Sequence, residues 1–230
     1  MKLNIKELLD FFDDKKDSQK GDANALMAML GEDLNASVYK YFRKNKVETL
    51  EEPVSQGLRE GERLDRWILD KKNKELFQCE IKNWAATAIG GKQLKSDASN
   101  EEIKEVTEYY WDRELKNNFS KKLKHPNRVT KVLLKMKAPI RYENISNIKP
   151  LLIYWMPISS DKKRLSPQST LSIHPLHLPI NTNFLELYIF SVSLYLRQLY
   201  KRGKGQKVID LDIPHFEHRI KILTKLQNKI

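Results

Sequence analysis

Cysteine is almost missing from this chain. Cys79 is the only one in 230 residues. No disulfide framework and no cysteine-rich zinc site can form within such a chain, and a reducing, cytoplasmic location is the expectation. Long apolar runs are missing too. The most apolar stretch, residues 184–199, contains Glu186 and Arg197. It falls short of the about 20 apolar residues that a membrane-spanning helix needs, so no membrane partner is expected. The opening MKLNIKELLDFFDDKK turns acidic before any uninterrupted apolar stretch develops, which does not read as a signal peptide. There is no internal repeat and no Walker-type phosphate loop, because Gly203-Lys-Gly205 lacks the length and context. His174 and His177, and His215 and His218, have no cysteine or acid cluster nearby in sequence. They read as satisfied loop or helix histidines rather than metal ligands.

What is present is positive charge on a foldable chain. There are 42 basic residues against 30 acidic ones, a formal net charge of +12, with 40% of the residues hydrophobic. The length suits one or at most two domains with a real core. The charge favours an anionic partner: nucleic acid, an acidic protein or a membrane surface. The basic groups are spread out. Residues 121–137 carry Lys121, Lys122, Lys124, Arg128, Lys131, Lys135 and Lys137, and further runs lie at 162–164 and 201–204. Such groups contact phosphates without reading sequence, although a charge run is often just a solvated face.

Periodicity sketches the organisation. Residues 3–12 suit a short helix, and the charged stretch 13–22 breaks it. Leu26, Leu30, Leu34, Val38 and Tyr41 recur at helical steps within a helix over 23–44. Its other side carries Ala25, Ala28 and Ala36 around Glu32. Residues 45–62 are mixed. Residues 63–69 and 75–84 read as the strands of an antiparallel hairpin joined by the polar run 70–74, with Asp70 as a turn residue. The stretch 85–91 is small and flexible. Ser99 and Glu102 form a capping box that opens a helix running to about residue 124. Residues 129–136 and 150–158 are strand candidates, 159–183 a loop or irregular strand, 184–201 a mostly buried helix, and the tail from 212 looks helical. The order implies an α/β domain.

The hairpin holds the chemistry. On its second strand Phe77, Cys79 and Ile81 share one face, and Gln78, Glu80 and Lys82 share the other. Asp65 lies on the neighbouring strand, within reach of Glu80 if the register fits. Acid-x-lysine alone is close to worthless as a motif, because cross-strand ion pairs occupy many solvated sheet faces. Two carboxylates at one spot, however, must be compensated. Mg²⁺ suits carboxylates with water and phosphate. A lysine beside them can polarise a water or neutralise charge developing at phosphorus. The combination makes sense for phosphodiester hydrolysis.

The segment GERLDRWILDKKNKELFQCEIKNW resembles the core hairpin of the PD-(D/E)xK, or restriction-endonuclease-like, nuclease superfamily. Asp65 matches that family's first acid, Glu80 the second and Lys82 its lysine; Leu64 stands where the motif has proline. The resemblance covers roughly residues 21–137. It implies an α/β fold with a central mixed four-stranded sheet in α-β-β-β-α-β order and C-terminal strand and helix additions. Residues 1–160 would form the nuclease core, with 161–230 as an extension packed on it. It implies Mg²⁺, or Mn²⁺ in its place, held by Asp65 and Glu80 with the carbonyl of Ile81 as an extra ligand. Glu32 matches the acid that many members add from the preceding helix, with Asp33 as its rival. Gln93 is the candidate for the polar residue that completes the site in some relatives. The expected activity is metal-dependent cleavage of nucleic acid, double-stranded DNA ahead of RNA, with endonuclease action preferred and exonuclease action left open. A homodimer follows from the resemblance alone. The rival expectation is a catalytically inactive nucleic-acid-binding or regulatory subunit of a defence or repair complex.

Among the remaining residues, Gln78 is left open between positioning water or substrate and simple solvation. Arg66 is left open between phosphate and an acid partner. Trp67, Trp84, Tyr109, Tyr110 and Trp111 read as packing residues rather than base-stacking platforms.

Overall fold

The computed structural model describes residues 1–13, 20–50, 64–83, 90–120, 129–174, 182, 184–203, 208–214, 216, 218 and 221, with the backbone alone at 20–29, 118 and 120. Trp84, residues 85–89, 121–128 and most of the tail beyond 214 lie outside them.

A six-stranded mixed sheet in the order β2-β3-β4-β5-β7-β6 organises the fold. Its strands are β2 (Val47–Leu50), β3 (Arg66–Asp70), β4 (Glu75–Lys82), β5 (Ile148–Tyr154), β6 (Gln168–Ser172) and β7 (Glu186–Ser191). The hairpin forms as expected, with Arg66 opposite Cys79 and Asp70 opposite Glu75. β4 then pairs in parallel with β5, placing Glu80 opposite Leu152 and Lys82 opposite Tyr154. β5 and β7 are also parallel, while β6 returns antiparallel to β7. A separate two-stranded ribbon joins β1 (Lys2–Asn4) to β8 (Val208–Asp210).

Helices cover both faces. On one, α1 (Ile5–Asp13), α2 (Lys20–Phe42) and α5 (Val192–Arg202) bury Phe12, Leu34, Val38 and Leu196 against Ile68, Phe77, Cys79, Ile81 and Ile153. On the other, α3 (Asn100–Tyr110), a π-helical turn at Trp111–Lys116 and α4 (Asn117–Ser120) pack Ile103, Val106, Tyr110 and Leu115 over Trp67, Leu76, Leu152 and Tyr154. Trp67 and Tyr110 are therefore core residues, and Tyr109 and Trp111 pack at the margin. The Ser99 capping box is present: Glu102 N–H donates to Ser99 Oγ at 3.2 Å, and Ser99 N–H donates to the Glu102 carboxylate at 2.7 Å.

Several expectations are corrected. Residues 129–136 are not a strand: Thr130–Leu133 forms a 3₁₀ turn, because the Gln78 side chain satisfies the backbone there in place of a strand neighbour. Residues 184–201 are not one helix. β7 runs to Ser191, whose Oγ accepts from Leu194 N–H at 3.2 Å and so starts α5. β7, flanked by parallel β5 and antiparallel β6, carries an unbroken apolar run at 187–190 that leads straight into α5, and so short a run cannot be told from a buried helix by periodicity. β1, β2 and β8 were hidden by their three- and four-residue lengths, and β6 lies inside the segment read as a loop or irregular strand. β7 and β6, from the C-terminal part of the chain, complete the sheet. Asp70 is not merely a turn residue: it is buried, accepts from Arg43 Nη2 at 2.6 Å and caps Asn73 N–H at 3.0 Å.

Candidate functional site

Asp65 sits one residue before β3. Its N–H donates to Cys79 O at 3.1 Å, and its Oδ2 accepts from Ile81 N–H at 2.6 Å. β3 thus leaves the ladder at Asp65, and the carboxylate takes over the next backbone donor of β4. In an extended strand the N–H and C=O of one residue point to the same side. The carbonyl of Ile81 therefore turns toward Asp65, while that of Lys82 turns toward β5 and accepts from Trp155 N–H at 2.9 Å.

Glu80 and Lys82 share the opposite sheet face from Cys79 and Ile81. Both are buried, with side chains 8% and 9% exposed, and Lys82 Nζ is bonded to Glu80 Oε1. Glu80 is pushed up to about 7, first by burial and then by the charge of Asp65; Lys82 and Lys131 oppose the shift. Asp65 is raised as well, first by burial, with Glu32 raising it further and the Ile81 N–H, Lys82 and Arg66 pulling it down. Glu32, Asp65, Glu80, Lys82 and Lys131 therefore feel one shared field.

Glu32 and Asp33 divide their work. Asp33 is buried and accepts from Arg66 Nη2 at 3.1 Å; Glu32 is half exposed and lies 3.6 Å from the same nitrogen. Arg66 therefore takes acids as its partners, and they come from α2 rather than from a strand. Gly31 is what lets α2 come this close. A Cβ there would meet Asn83 Nδ2 at 2.0 Å and Asn83 Cβ at 2.8 Å, closer than side chains tolerate.

Gln93 stands apart from the cluster. It is exposed and lines a groove with Lys92, Lys95, Glu102 and Glu105. Gln78 is fully buried and is not a solvated residue: it donates to Val132 O and to Leu134 O at 2.8 Å, and accepts from Met136 N–H at 3.1 Å. It pins the turn that carries Lys131 beside Glu80. That link lay outside the sequence pattern, because it depends on a side chain bonding backbone more than fifty residues away.

Cys79 is buried, and burial pushes its thiol well up, so it is no nucleophile. Among the described residues no three His, Cys, Asp or Glu side chains converge as a metal cage. The donors on hand are the two carboxylates of Asp65 and Glu80 and the Ile81 carbonyl. That set fits Mg²⁺, which binds through one or two carboxylates and keeps several waters. A buried acid and a half-buried one, each with its carboxyl raised, are also the electrostatic deficit that a cation removes. Comparison of the chain with family models, curated proteins and solved structures returned no match.

Tyr154, unforeseen in the sequence, faces the same side of the sheet opposite Lys82. Its hydroxyl is buried without a hydrogen-bond partner among the described residues. The charges of Glu114, on the π-helical turn, and of Glu80 both act on it. An unsatisfied buried hydroxyl costs about 1–3 kcal/mol. Tyr154→Phe should accordingly hold or raise the thermal midpoint, and a clear fall would show that the hydroxyl has a partner.

Proposed function

We propose that this protein is a metal-dependent nuclease of the restriction-endonuclease-like type that hydrolyses phosphodiester bonds, in DNA in preference to RNA. One observation carries the reading: the main-chain N–H of Ile81, the residue between Glu80 and Lys82, holds the Asp65 carboxylate at 2.6 Å. The lone acid and the acid-x-lysine strand thereby form one station, with Glu80 and Lys82 buried and Asp65 half-buried. The succession α2-β2-β3-β4-α3-β5 follows the α-β-β-β-α-β order of that family and supports the reading. So does the net charge of +12, which suits a polyanionic substrate.

Asp65, Glu80 and the Ile81 carbonyl would hold the cation, with Glu32 supporting its water shell. A bound Mg²⁺ or Mn²⁺ supplies Lewis acidity at the phosphate and support for the leaving oxygen. Lys82 then orients and polarises the attacking water and offsets negative charge as it builds at phosphorus. Arg66 holds Glu32 and Asp33 of α2 through its ion pairs with both, which keeps Glu32 within the electrostatic reach of Asp65.

The test is cleavage of plasmid, linear and single-stranded DNA and of RNA with Mg²⁺ or Mn²⁺. Wild type should cut at least one of these, and Lys82→Ala should lose about 100-fold or more. Undiminished cleavage by Lys82→Ala would remove the proposal. The second reading, a nucleic-acid-binding or regulatory subunit without cleavage, is favoured by the closed Lys82–Glu80 ion pair. It predicts nucleic-acid binding without Mn²⁺ uptake in a calorimetric titration.

A further inference from the structure

Two basic runs that are about forty residues apart in sequence meet in space. Lys163 and Arg164 come from the turn after β5, Lys201 and Arg202 from the end of α5, and Lys104 from the first half of α3. Together they line one groove of about 350 Å³, with Arg197 also lining it. Arg197 is buried and neutralised by Asp13 at 2.9 Å, so the charge not held in an ion pair belongs to the five others. Among the described residues no carboxylate lies within ion-pairing distance of those five, and no acid lines the groove.

The turn is built rather than loose. Asp161 Oδ1 accepts from Lys163 N–H at 2.9 Å and from Arg164 N–H at 3.0 Å. Leu165 is held at φ 50°, a left-handed conformation unfavourable for a bulky residue, and its carbonyl accepts from Gln198 Nε2 at 2.6 Å. Backbone strain of this kind persists where the surroundings over-determine it. Here it fixes the basic turn against α5. Lys201 and Arg202 also complement the C-terminal end of α5, which accounts for them as helix residues. It does not account for Lys104, Lys163 and Arg164 converging on the same hollow. Like charges brought together repel, and an anion in the groove relieves that repulsion.

We propose that this groove is a second binding site, separate from the Asp65–Glu80–Lys82 cluster, and that it takes clustered phosphates. Those phosphates belong either to a nucleic-acid strand or to a free polyphosphate ligand of nucleotide type. Arg164 supplies the planar fork for bidentate phosphate contact, and the lysines supply point charges around it.

The experiment measures binding in EDTA, which makes it independent of any cleavage. The probes are inorganic triphosphate, by calorimetry, and fluorescein-labelled 20-mers, single- and double-stranded, by anisotropy. Lys163→Glu/Arg164→Glu and, on another element, Lys104→Glu are compared with Lys2→Glu/Lys72→Glu, which makes the same charge change as the double variant at exposed sites elsewhere. The groove variants should bind triphosphate at least tenfold more weakly, and the control should stay within about twofold. A parallel loss on the 20-mers identifies a strand as the source of the phosphates; a loss on triphosphate alone identifies a free ligand. Wild type that binds neither probe class, or groove variants that bind both as wild type does, would overturn the proposal. Metal-dependent cleavage lost in Lys82→Ala but kept in the groove variants would leave the nuclease reading standing whichever way the groove is decided.

Discussion

Glu80→Gln should cripple cleavage and at the same time make the metal-free protein more stable at pH 8. The two effects share one cause. Glu80 is buried beside Asp65, with Lys82 as its bonded counter-charge, and its carboxyl is pushed up to about 7 from an ordinary 4.5. The folded protein therefore keeps a proton on Glu80 at pH values where the unfolded chain has already released it. Below pH 4.5 this group takes nothing from stability. As pH rises from there to about 7, the folded state becomes progressively less favoured, and above 7 the loss is complete. Asp65, raised for the same reason, acts with the same sign. Glutamine resembles the protonated acid and carries no charge at any pH. The variant should gain on the order of 1–3 kcal/mol over wild type at pH 8 and nothing at pH 4.5. Urea midpoints measured across pH 4.5–8 read this directly. An advantage of the variant over wild type that does not grow through that interval would be incompatible with the site. Mn²⁺ should restore wild-type stability at pH 8, since a ligand that binds only the folded state shifts unfolding by mass action, and it should not act on Glu80→Gln. Cleavage by the variant should fall about 10³-fold, the scale of losing one preorganised charge from a metal-assisted transition state.

Asp13→Ala should destabilise the fold far more than the loss of any exposed ion pair. Asp13 is 1% exposed and ends α1. Its carboxylate accepts from Trp155 Nε1 at 2.8 Å, Ser193 Oγ at 2.5 Å and Arg197 Nη2 at 2.9 Å. Arg197 in turn donates to Leu94 O at 2.6 Å and to Lys95 O. One acid thus fastens α1, the end of β5, α5 and the 94–95 backbone together. Removing it strands a buried guanidinium. Breaking a buried pair from one side costs about 3–5 kcal/mol, most of it from the charge left behind. The double change Asp13→Ala/Arg197→Leu should therefore be less damaging than Asp13→Ala alone. A chemical-denaturation series on wild type and the two variants checks that order, and a double change that is worse than the single would contradict the argument.

The hairpin was legible in sequence because its chemistry is local. Alternation put Glu80 and Lys82 on one face and the polar run 70–74 marked the connection, while the register against Arg66–Asp70 stayed open until the structure gave it. The α3 capping box was legible for the same reason. What escaped depended on partners far away in the chain. Asp13 counted only as the start of the charged stretch that breaks the first helix, because Trp155, Ser193 and Arg197 lie at least 142 residues downstream. Residues 129–136 looked like a strand because nothing local announces that Gln78 will take their backbone groups. Residues 184–201 looked like one helix because β7 is buried among neighbours and Ser191 gives a single-residue signal for the change. The acids of the cluster were found by motif; Tyr154 and Lys131 reached it through pairing and through Gln78. The basic runs at 162–164 and 201–204 were visible separately, but their convergence with Lys104 was not. The described residues contain no helix long and apolar enough to cross a membrane, as the absence of a long apolar run implied.

The seat of Asp65 implies a division of labour along β4. Its carboxylate is steered by a main-chain amide, not by a side chain. The identity of residue 81 is therefore free to answer to packing in the core beneath it, and valine or leucine would aim the acid equally well. Proline alone is barred on chemical grounds, since it has no N–H to offer.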